Sequence, residues 1–344
     1  MKNIALCFDR SRGIGGTGGT TNATALADLM SAGDDQMVWA PACTAGARDR
    51  FRGRRGTVDA ARAAIAEAYE FLVAEWSPGD RLFLLGAGRG AACARALAHL
   101  LGTVGVLRDD IPGWSVGDLR QYVLSTHVVP RTRRDATDWE HIGRLTARLS
   151  GRFTVAVDVH FLGLWDTVAL SRAGAAPLVG NVLATRHAVA IDGSWRRSGA
   201  QLLRGSGTAV QEVWFRGAHC DVTGGENACA PLAAIALDWV LDGAVRAGAL
   251  VRQCPQRSVP TAVDALAGST HTVSFRQIPA DANVHASVES YLRAHPSYWR
   301  RLPARVTWAD TDWAARAERL VPGPVTPPSV TEIPAPPVPE LLPG

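Results

Sequence analysis

The stretch Arg81–Leu101 reads RLFLLGAGRGAACARALAHLL, and this stretch decides the fold. Its opening residues, RLFLL, form the short apolar run of a buried strand, and its closing residues are rich in alanine and leucine, which favour a helix. Glycines at positions 86, 88 and 90 leave only a tight turn between the two. The pattern predicts a strand, a glycine turn and a helix, which is a unit of a parallel α/β sheet.

The glycine turn, Gly86–Gly90, has the outline of a G-x-S-x-G nucleophile elbow with Gly88 at the central position. In such an elbow the central side chain projects above the sheet, and the flanking glycines avoid collisions with neighbouring backbone. The first N–H groups of the helix then point towards a developing oxyanion. A dinucleotide-binding turn is the rival reading, but it requires G-x-G-x-x-G spacing and an acidic residue at a later strand end. Asp109 lies beyond the helix, in a predicted loop.

The rest of the chain alternates between the same two kinds of element. We predict further strands at Asn3–Phe8, Phe153–Leu164, Val210–Phe215 and His271–Ile278, and helices at Thr57–Trp76, Thr185–Ile191, Pro231–Leu250 and Ala286–Ala294. This order indicates an α/β protein with a mostly parallel, doubly wound sheet. Sites in such sheets form at the carboxyl ends of the strands. The polar or elbow residues at or just beyond such ends are Asp9, Gly88, Asp166, His219 and Asp221.

Composition excludes several classes of function. The 344 residues are 47% hydrophobic with a net charge of +4, which is enough for a buried core and too little basic charge for nucleic-acid binding. We expect no membrane span, no signal peptide and a cytoplasmic location, although export without a leader would leave no trace in the sequence. The six cysteines form no C-x-x-C pair, and we expect neither a metal nor a cofactor.

Several segments resemble, in the same order, a family of uncharacterised α/β hydrolases that includes type VI secretion phospholipase effectors. Ile4–Asp9 is similar to the family's strand that ends in Phe-Asp-Gly-Thr, and Pro78–Arg95 is similar to its Pro-Gly-Asp…Phe-Ser-Arg-Gly-Ala segment. Phe161–Val168 (FLGLWDTV) resembles Phe-Leu-Gly-Val-Trp-Asp-Thr-Val. Val213–Gly225 (VWFRGAHCDVTGG) resembles Val-Trp-Phe-Pro-Gly-Val-His-Ser-Asp-Val-Gly-Gly-Gly. Shorter matches are Thr21–Ala23 and Ile278–Val288, so the resemblance covers roughly residues 2–303.

The resemblance implies an ester hydrolase, often acting on lipids, with a serine–aspartate–histidine triad. By position, Asp166 is the acid, His219 is the base and Gly88 stands at the nucleophile. Arg10 replaces a glycine beside the presumed oxyanion region. The implied fold is an α/β-hydrolase-like domain over residues 1–320 with a lid-like helical insertion at about 107–150. A proline-rich tail follows at 321–344, and we expect it to be extended or disordered.

Reasoning from the residues gives the same roles, because nucleophile, acid and base follow one another in α/β-hydrolase order. Other assignments stay open at this point. Asp221 can replace Asp166 as the acid, with His285 as the base.

The elbow and oxyanion region include Asp9, Arg10, Gly86, Arg89 and Gly90, of which Arg89 can also bind an anion. Other candidate nucleophiles are Cys93, Cys220 and Ser11, and a hydrolytic metal could be held by Asp9, His219 and Asp221.

Glycine has no oxygen with which to attack an ester, so position 88 decides the expected function. We expect a phospholipase-like or esterase-like fold that is catalytically impaired and binds a small-molecule or lipid ester as a regulatory pseudo-hydrolase. The alternatives are an active hydrolase with another nucleophile or a metal, and an active enzyme inactivated by an introduced Gly88. Peripheral contact with a membrane is compatible with each of these readings. The sequence does not indicate a protein partner.

Overall fold

The computed structural model of the chain has an α/β architecture. It describes residues 1–9, 20–41, 54–107, 115–126, 128–129, 136–150, 155–170, 180–193, 201–203, 210–252, 259–269 and 274–315. The strands within these residues are β1 Asn3–Phe8, β2 Gln36–Trp39, β3 Arg81–Ala87, β4 Val159–Trp165, β5 Thr185–Ala190, β6 Asp192–Gly193, β7 Val210–Phe215, β8 Ser274–Phe275, β9 Ala282–His285 and β10 Val306–Ala309. The α-helices are α1 Asn22–Leu29, α2 Arg54–Glu75, α3 Arg89–Thr103, α4 Val116–Thr126, α5 Ala136–Ser150, α6 His219–Thr223, α7 Ala230–Arg246 and α8 Ala286–Ala294.

In the described part of the chain, eight strands form one sheet in the order β10-β9-β7-β5-β4-β3-β1-β2. Each neighbouring pair in this sheet is parallel. The inner strands are buried along nearly their whole length, as expected when helices cover both faces of a parallel sheet. The predicted mostly parallel, doubly wound sheet is confirmed.

Helices cover both faces of this sheet. On one face, α2, α3, α4 and α5 share a core that includes Ile65 of α2 and Leu97 of α3. On the other face, α1 and α7 pack against the strands through residues such as Leu26 and Trp239. A smaller cluster around Val284 joins β9 and α8 to the edge of the sheet. The sheet is therefore shielded from water on both sides, and its polar residues concentrate at the strand ends.

The register of the central strands brings the site residues to one edge. Phe8 of β1 pairs with Gly86 of β3, and Ala87 pairs with Trp165 of β4. The next residues along these strands, Asp9, Gly88 and Asp166, therefore emerge together at the carboxyl edge of the sheet.

The predicted helix at Thr185–Ile191 is wrong, because this segment forms the strand β5, Thr185–Ala190, between β4 and β7. Its alanines favour a helix in isolation. Both faces of β5 are buried, so the sequence lacks the alternation of apolar and polar residues that identifies a strand with one face in water. Pairing of β5 with β4 and β7 therefore outweighs the helical preference of its alanines.

Other boundaries differ by a few residues, and some elements were not predicted. β4 begins at Val159 rather than Phe153, α7 ends at Arg246 rather than Leu250, and β8 covers only Ser274–Phe275. The strands β2, β9 and β10, each four residues long, lie at or next to the edges of the sheet and carry too few residues for a clear pattern. The predicted strand at Asn3–Phe8 and the helix at Ala286–Ala294 are confirmed with the same bounds.

The expected lid-like insertion, 107–150, includes α4 and α5 among its described residues. Val123 and Leu124 of α4 and Ile142 of α5 are buried in the core that these helices share with α2 and α3. Whether any part of the insertion acts as a lid stays a prediction. The proline-rich tail, 321–344, lies outside the described residues.

Candidate active site

The turn between β3 and α3 has the geometry of an elbow. Gly88 follows β3 directly and is the N-cap residue of α3, with φ 55° and ψ −110°. Its N–H donates to the carbonyl of Trp165 at 2.8 Å, and its own carbonyl accepts from the N–H of Val168 at 2.9 Å. The chain after β4 therefore fixes the backbone of Gly88 in a conformation that few residues other than glycine adopt.

The flanking glycines are required by the same turn. A Cβ atom at Gly86 would overlap the backbone of Gly90 and Ala91, and a Cβ atom at Gly90 would overlap the carbonyl oxygen of Phe8 in β1. Both clashes are with backbone atoms in the middle of the fold, which cannot move aside easily. The spacing of Gly86 and Gly90 thus reflects a steric requirement of the elbow.

A histidine lies directly above Gly88. A Cβ atom placed at Gly88 would lie 3.2 Å from both Cε1 and Nε2 of His219. His219 is the first residue of α6, and its side chain is 37% exposed. A side chain at position 88 would therefore point at the imidazole from the side of Nε2.

His219 is paired with Asp166, the residue that follows β4. The His219 Nδ1 and Asp166 Oδ2 atoms are 2.6 Å apart, and the Asp166 side chain is fully buried. Because an ionised carboxylate only accepts hydrogen bonds, Nδ1 carries a proton, and in the neutral imidazole Nε2 then has its lone pair on the side of Gly88. An imidazole in this tautomer can take a proton from a hydroxyl group above the elbow.

Asp166 is also held by an arginine that the sequence analysis missed. Arg276 lies 2.6 Å from Asp166 Oδ1 through one guanidinium nitrogen and 2.9 Å from Oδ2 through another. The N–H of Ala190 donates to Oδ1 at 3.1 Å. Burial raises the pKa of Asp166, but the hydrogen bonds from His219 and Arg276 and the charge of Arg276 lower it by more, so the pKa lies below its usual value. No motif in the sequence marks Arg276.

A second imidazole supports the turn that carries Asp166. Thr167 approaches His187 Nε2 with its backbone N–H at 3.3 Å and its hydroxyl at 3.1 Å, and Glu212 Oε2 lies 2.9 Å from His187 Nδ1. Thr167 and His187 are fully buried. Since Nε2 accepts from the Thr167 N–H, Nδ1 carries the proton and donates to Glu212. Asp166 itself has a positive φ of 43°, an uncommon conformation that these contacts maintain.

The alternative acid and base have other partners. Asp221 is fully buried and accepts from the N–H of Ala218 at 2.8 Å, the N–H of Cys229 at 2.9 Å and the hydroxyl of Ser269 at 2.7 Å. His285 is hydrogen-bonded to Ser287 and to Asp310, and its ring stacks on Phe215. The hydrogen-bonded carboxylate and imidazole beside Gly88 are therefore those of Asp166 and His219 rather than those of Asp221 and His285.

These contacts give Asp221 a structural role that can be tested. We expect Asp221→Ala to lower the free energy of unfolding by about 3 kcal/mol, because it leaves one buried and one partly buried N–H group without their acceptor. Urea denaturation measures the change. The matched control is Asp264→Ala, because Asp264 accepts from Thr261 in an exposed turn, and its loss should cost about 1 kcal/mol or less. Equal losses in the two variants would contradict the assignment.

The remaining predicted site residues do not belong to the hydrogen-bonded pair beside Gly88. Asp9 accepts a hydrogen bond from the Thr24 hydroxyl at 2.6 Å, and Arg89, the first residue of α3, is exposed. Arg10 and Ser11 lie outside the described residues. Cys93 is buried in α3, and Cys220 neighbours His219 on α6. Burial and the charge of Asp221 raise the pKa of the Cys220 thiol, which makes the thiolate scarcer and the group a poorer nucleophile.

A small apolar cavity opens beside the start of α3. Its volume is about 60 Å³. The lining residues come from β1, α2, α3 and the neighbouring loops: Phe8, Asp9, Pro41, Ala60, Ala61, Ala64, Arg89, Gly90, Cys93 and Leu170. The wall is mostly hydrocarbon, and the charged groups of Asp9 and Arg89 are its polar members. A short hydrocarbon group fits this composition.

The described residues also bear on metals and membranes. Within them, no three histidine, cysteine, aspartate or glutamate side chains come together in a group that could hold a metal ion. Across the same ranges, none of the helices has both the length and the apolar character needed to cross a bilayer.

Comparisons with known proteins identify related chains. A family model described as the type VI secretion (T6SS) phospholipase effector Tle1-like catalytic domain matches residues 2–243. An uncharacterized protein of Saccharomyces cerevisiae is 28% identical in an alignment of 189 residues that covers 48% of this chain and 26% of the yeast protein. This chain therefore spans about a quarter of that relative's length.

Two solved structures are similar at low identity. An uncharacterized protein from Pseudomonas aeruginosa is 18% identical with a TM-score of 0.45, over 74% of this chain and 48% of that one. A Tle1 effector bound to the VgrG spike of the type 6 secretion system is 20% identical with a TM-score of 0.31, over 60% of this chain and 41% of that one. This chain spans less than half of either structure.

Proposed function

We propose, starting from the fact that this chain belongs to the Tle1-like family of type VI secretion phospholipase effector catalytic domains, that it binds an ester ligand without hydrolysing it efficiently. The family membership covers residues 2–243 and gives the chain a phospholipase-like hydrolase fold. With Gly88 at the elbow, the chain acts as a ligand-binding pseudo-hydrolase.

The observation that carries the proposal is the position of His219 over Gly88. An imidazole, its carboxylate partner and the N-terminus of α3 lie around a residue with no side chain, and this geometry supports the roles of base, acid and oxyanion donor. Acyl transfer needs an oxygen or sulfur nucleophile beside the base, and glycine supplies neither. The arrangement therefore favours binding of an ester over its cleavage.

The ligand is best described as an ester with a short acyl group at the elbow. The cavity of about 60 Å³ beside Gly90 is mostly apolar, and each methylene buried in it would contribute about 0.8 kcal/mol. The family indicates lipids as substrates, so the rest of the ligand can be a phospholipid headgroup and glycerol. Peripheral contact with a membrane is compatible with such a ligand.

A pair of variants on α2 tests this ligand site. We expect Ala64→Leu to weaken binding of dibutyrylphosphatidylcholine by about tenfold, because Ala64 lines the cavity and the added carbons occupy the acyl position. Ala63→Leu is the matched control, because Ala63 is exposed on the adjacent position of the same helix and does not line this cavity. Isothermal titration calorimetry measures both dissociation constants, and chromatography of the recovered lipid measures cleavage.

Two results would contradict the proposal. Equal binding by the unaltered chain and Ala64→Leu would remove the cavity as the acyl site. Rapid hydrolysis of the lipid by the unaltered chain would support instead the alternative of an active enzyme that uses water or another nucleophile.

A further inference from the structure

Arg276 reaches the site from a part of the chain beyond the family match. The matched segment ends at residue 243, whereas Arg276 directly follows β8. Its guanidinium nevertheless forms a two-pronged pair with the Asp166 carboxylate and also donates to the carbonyl of Ala190 at 3.2 Å. The part of the chain that follows the matched segment thus contributes directly to the site.

The buried carboxylate of Asp166 needs a positively charged partner to stay ionised. Its side chain is fully buried, and burial in a low-dielectric interior disfavours an ionised carboxylate unless it is paired. The groups that face it are His219 and Cys220 from α6, the backbone N–H of Ala190 from β5, and Arg276. The backbone N–H supplies a hydrogen bond without charge, and the imidazole is charged only when it is protonated, so Arg276 supplies the permanent compensating charge in this set.

The guanidinium is well placed for that task. The Arg276 side chain is only 12% exposed, so water screens its attraction to Asp166 weakly. Its two donors match the two oxygens of a carboxylate, which gives direction as well as charge. Because Arg276 holds both oxygens of the Asp166 carboxylate, the carboxylate keeps the orientation in which Oδ2 also faces His219 Nδ1.

We infer that Arg276 is a positioning residue that keeps the buried Asp166 ionised, so that Asp166 holds the His219 imidazole with Nε2 facing position 88. The consequence for ester chemistry rests on the proposed function, whereas the protonation state of Asp166 does not. Without Arg276, burial is opposed only by the weaker set of His219 and the backbone N–H of Ala190, and the pKa of Asp166 rises. A protonated Asp166 no longer anchors Nδ1–H as a carboxylate does.

The test is a titration of Asp166 by ¹³C NMR of its carboxyl carbon in the folded, unaltered chain and in Arg276→Gln. We expect the carboxyl to stay ionised through the neutral and mildly acidic range in the unaltered chain. In Arg276→Gln its pKa should rise by at least about two pH units, into the mildly acidic range, where the carboxyl carbon then titrates. The downfield proton signal of His219 Nδ1–H, which reports its bond to Asp166, should weaken as Asp166 becomes protonated.

Two further variants complete the design. Arg276→Lys keeps the charge but loses the two-pronged geometry, so we expect a smaller rise in the pKa of Asp166, and this variant serves if Arg276→Gln does not fold. Arg301→Gln is the matched control, because Arg301 pairs with a different buried carboxylate, Asp192. It should leave the Asp166 titration unchanged.

An unchanged Asp166 titration and an unchanged His219 Nδ1–H signal in the folded Arg276 variants would overturn the inference. A shift of the same size in Arg301→Gln would also overturn it, because the effect would then be a general loss of packing. These measurements use the chain with Gly88 and without any ester ligand. Their result can therefore be interpreted even if the chain does not bind an ester.

Discussion

Gly88→Ser is expected to raise the rate of ester hydrolysis at least about a thousandfold above that of the unaltered chain. Loss of the serine from a complete triad costs on the order of a millionfold in kcat, and His219 and Asp166, the proposed base and acid for such a serine, are already hydrogen-bonded here. Hydrolysis of p-nitrophenyl butyrate and of dibutyrylphosphatidylcholine measures the gain. The gain that we expect is smaller than the cost of losing a serine from a complete triad, because the new hydroxyl will not be placed as well as a native one.

The elbow can accept the new side chain with small adjustments. A Cβ atom at position 88 would lie 3.2 Å from the His219 ring, so the ring must move by a few tenths of an ångström, and its partial exposure leaves room for this. The positive φ of 55° strains a non-glycine residue by about 1–3 kcal/mol. Gly88→Ser should therefore be somewhat less stable than the unaltered chain, as measured by urea denaturation.

Two controls separate the hydroxyl from the added carbon. Gly88→Ala introduces the same Cβ atom and the same backbone strain without an oxygen, so it should remain as inactive as the unaltered chain. Gly88→Ser combined with His219→Ala should lose the gained activity, because the serine then has no base. Comparable activity with and without His219 would contradict the assignment of the base.

Gly90→Ala is expected to lower the free energy of unfolding by at least about 3 kcal/mol, which is large for the addition of one methyl group. The new Cβ atom would overlap the carbonyl oxygen of Phe8, and this oxygen belongs to the backbone of the buried strand β1. Relief of the overlap requires α3 and β1 to separate, which opens the core between them. Chemical denaturation measures the loss.

Gly117→Ala is the matched control for this loss. Gly117 lies in α4, and no neighbouring atom lies within 4 Å of the position that its Cβ atom would take. Alanine is favoured over glycine in a helix by about 1 kcal/mol, so this variant should be slightly more stable than the unaltered chain. Stability of Gly90→Ala close to that of the unaltered chain would show that the turn is looser than described.

The fold was predictable from sequence where local signals agree with the tertiary arrangement. RLFLL at 81–85, the glycines after it and the alanine-rich segment that follows each specify one element, and together they specify the elbow. β5 was missed because its alanines favour a helix while pairing on both edges makes it a strand. β9 and β10 were missed because four residues carry too little pattern.

The site was predictable to the extent that strand ends reveal it. Asp166 directly follows β4 and His219 follows β7 by a short turn, so a parallel sheet brings both towards the end of β3. Arg276 lies 110 residues from Asp166 in the sequence and belongs to no motif, and only the folded chain reveals their contact. The support of Asp166 by Thr167 and His187 is likewise a product of strand register.

The most direct test of the central claim is covalent labelling with a fluorophosphonate, followed by mass spectrometry of the labelled peptide. The claim is that position 88 faces the His219–Asp166 pair at the elbow. We predict an adduct on the introduced serine in Gly88→Ser, none at this position in the unaltered chain, and none when His219→Ala is added. An unlabelled Gly88→Ser protein that is folded, or equal labelling without His219, would contradict the claim.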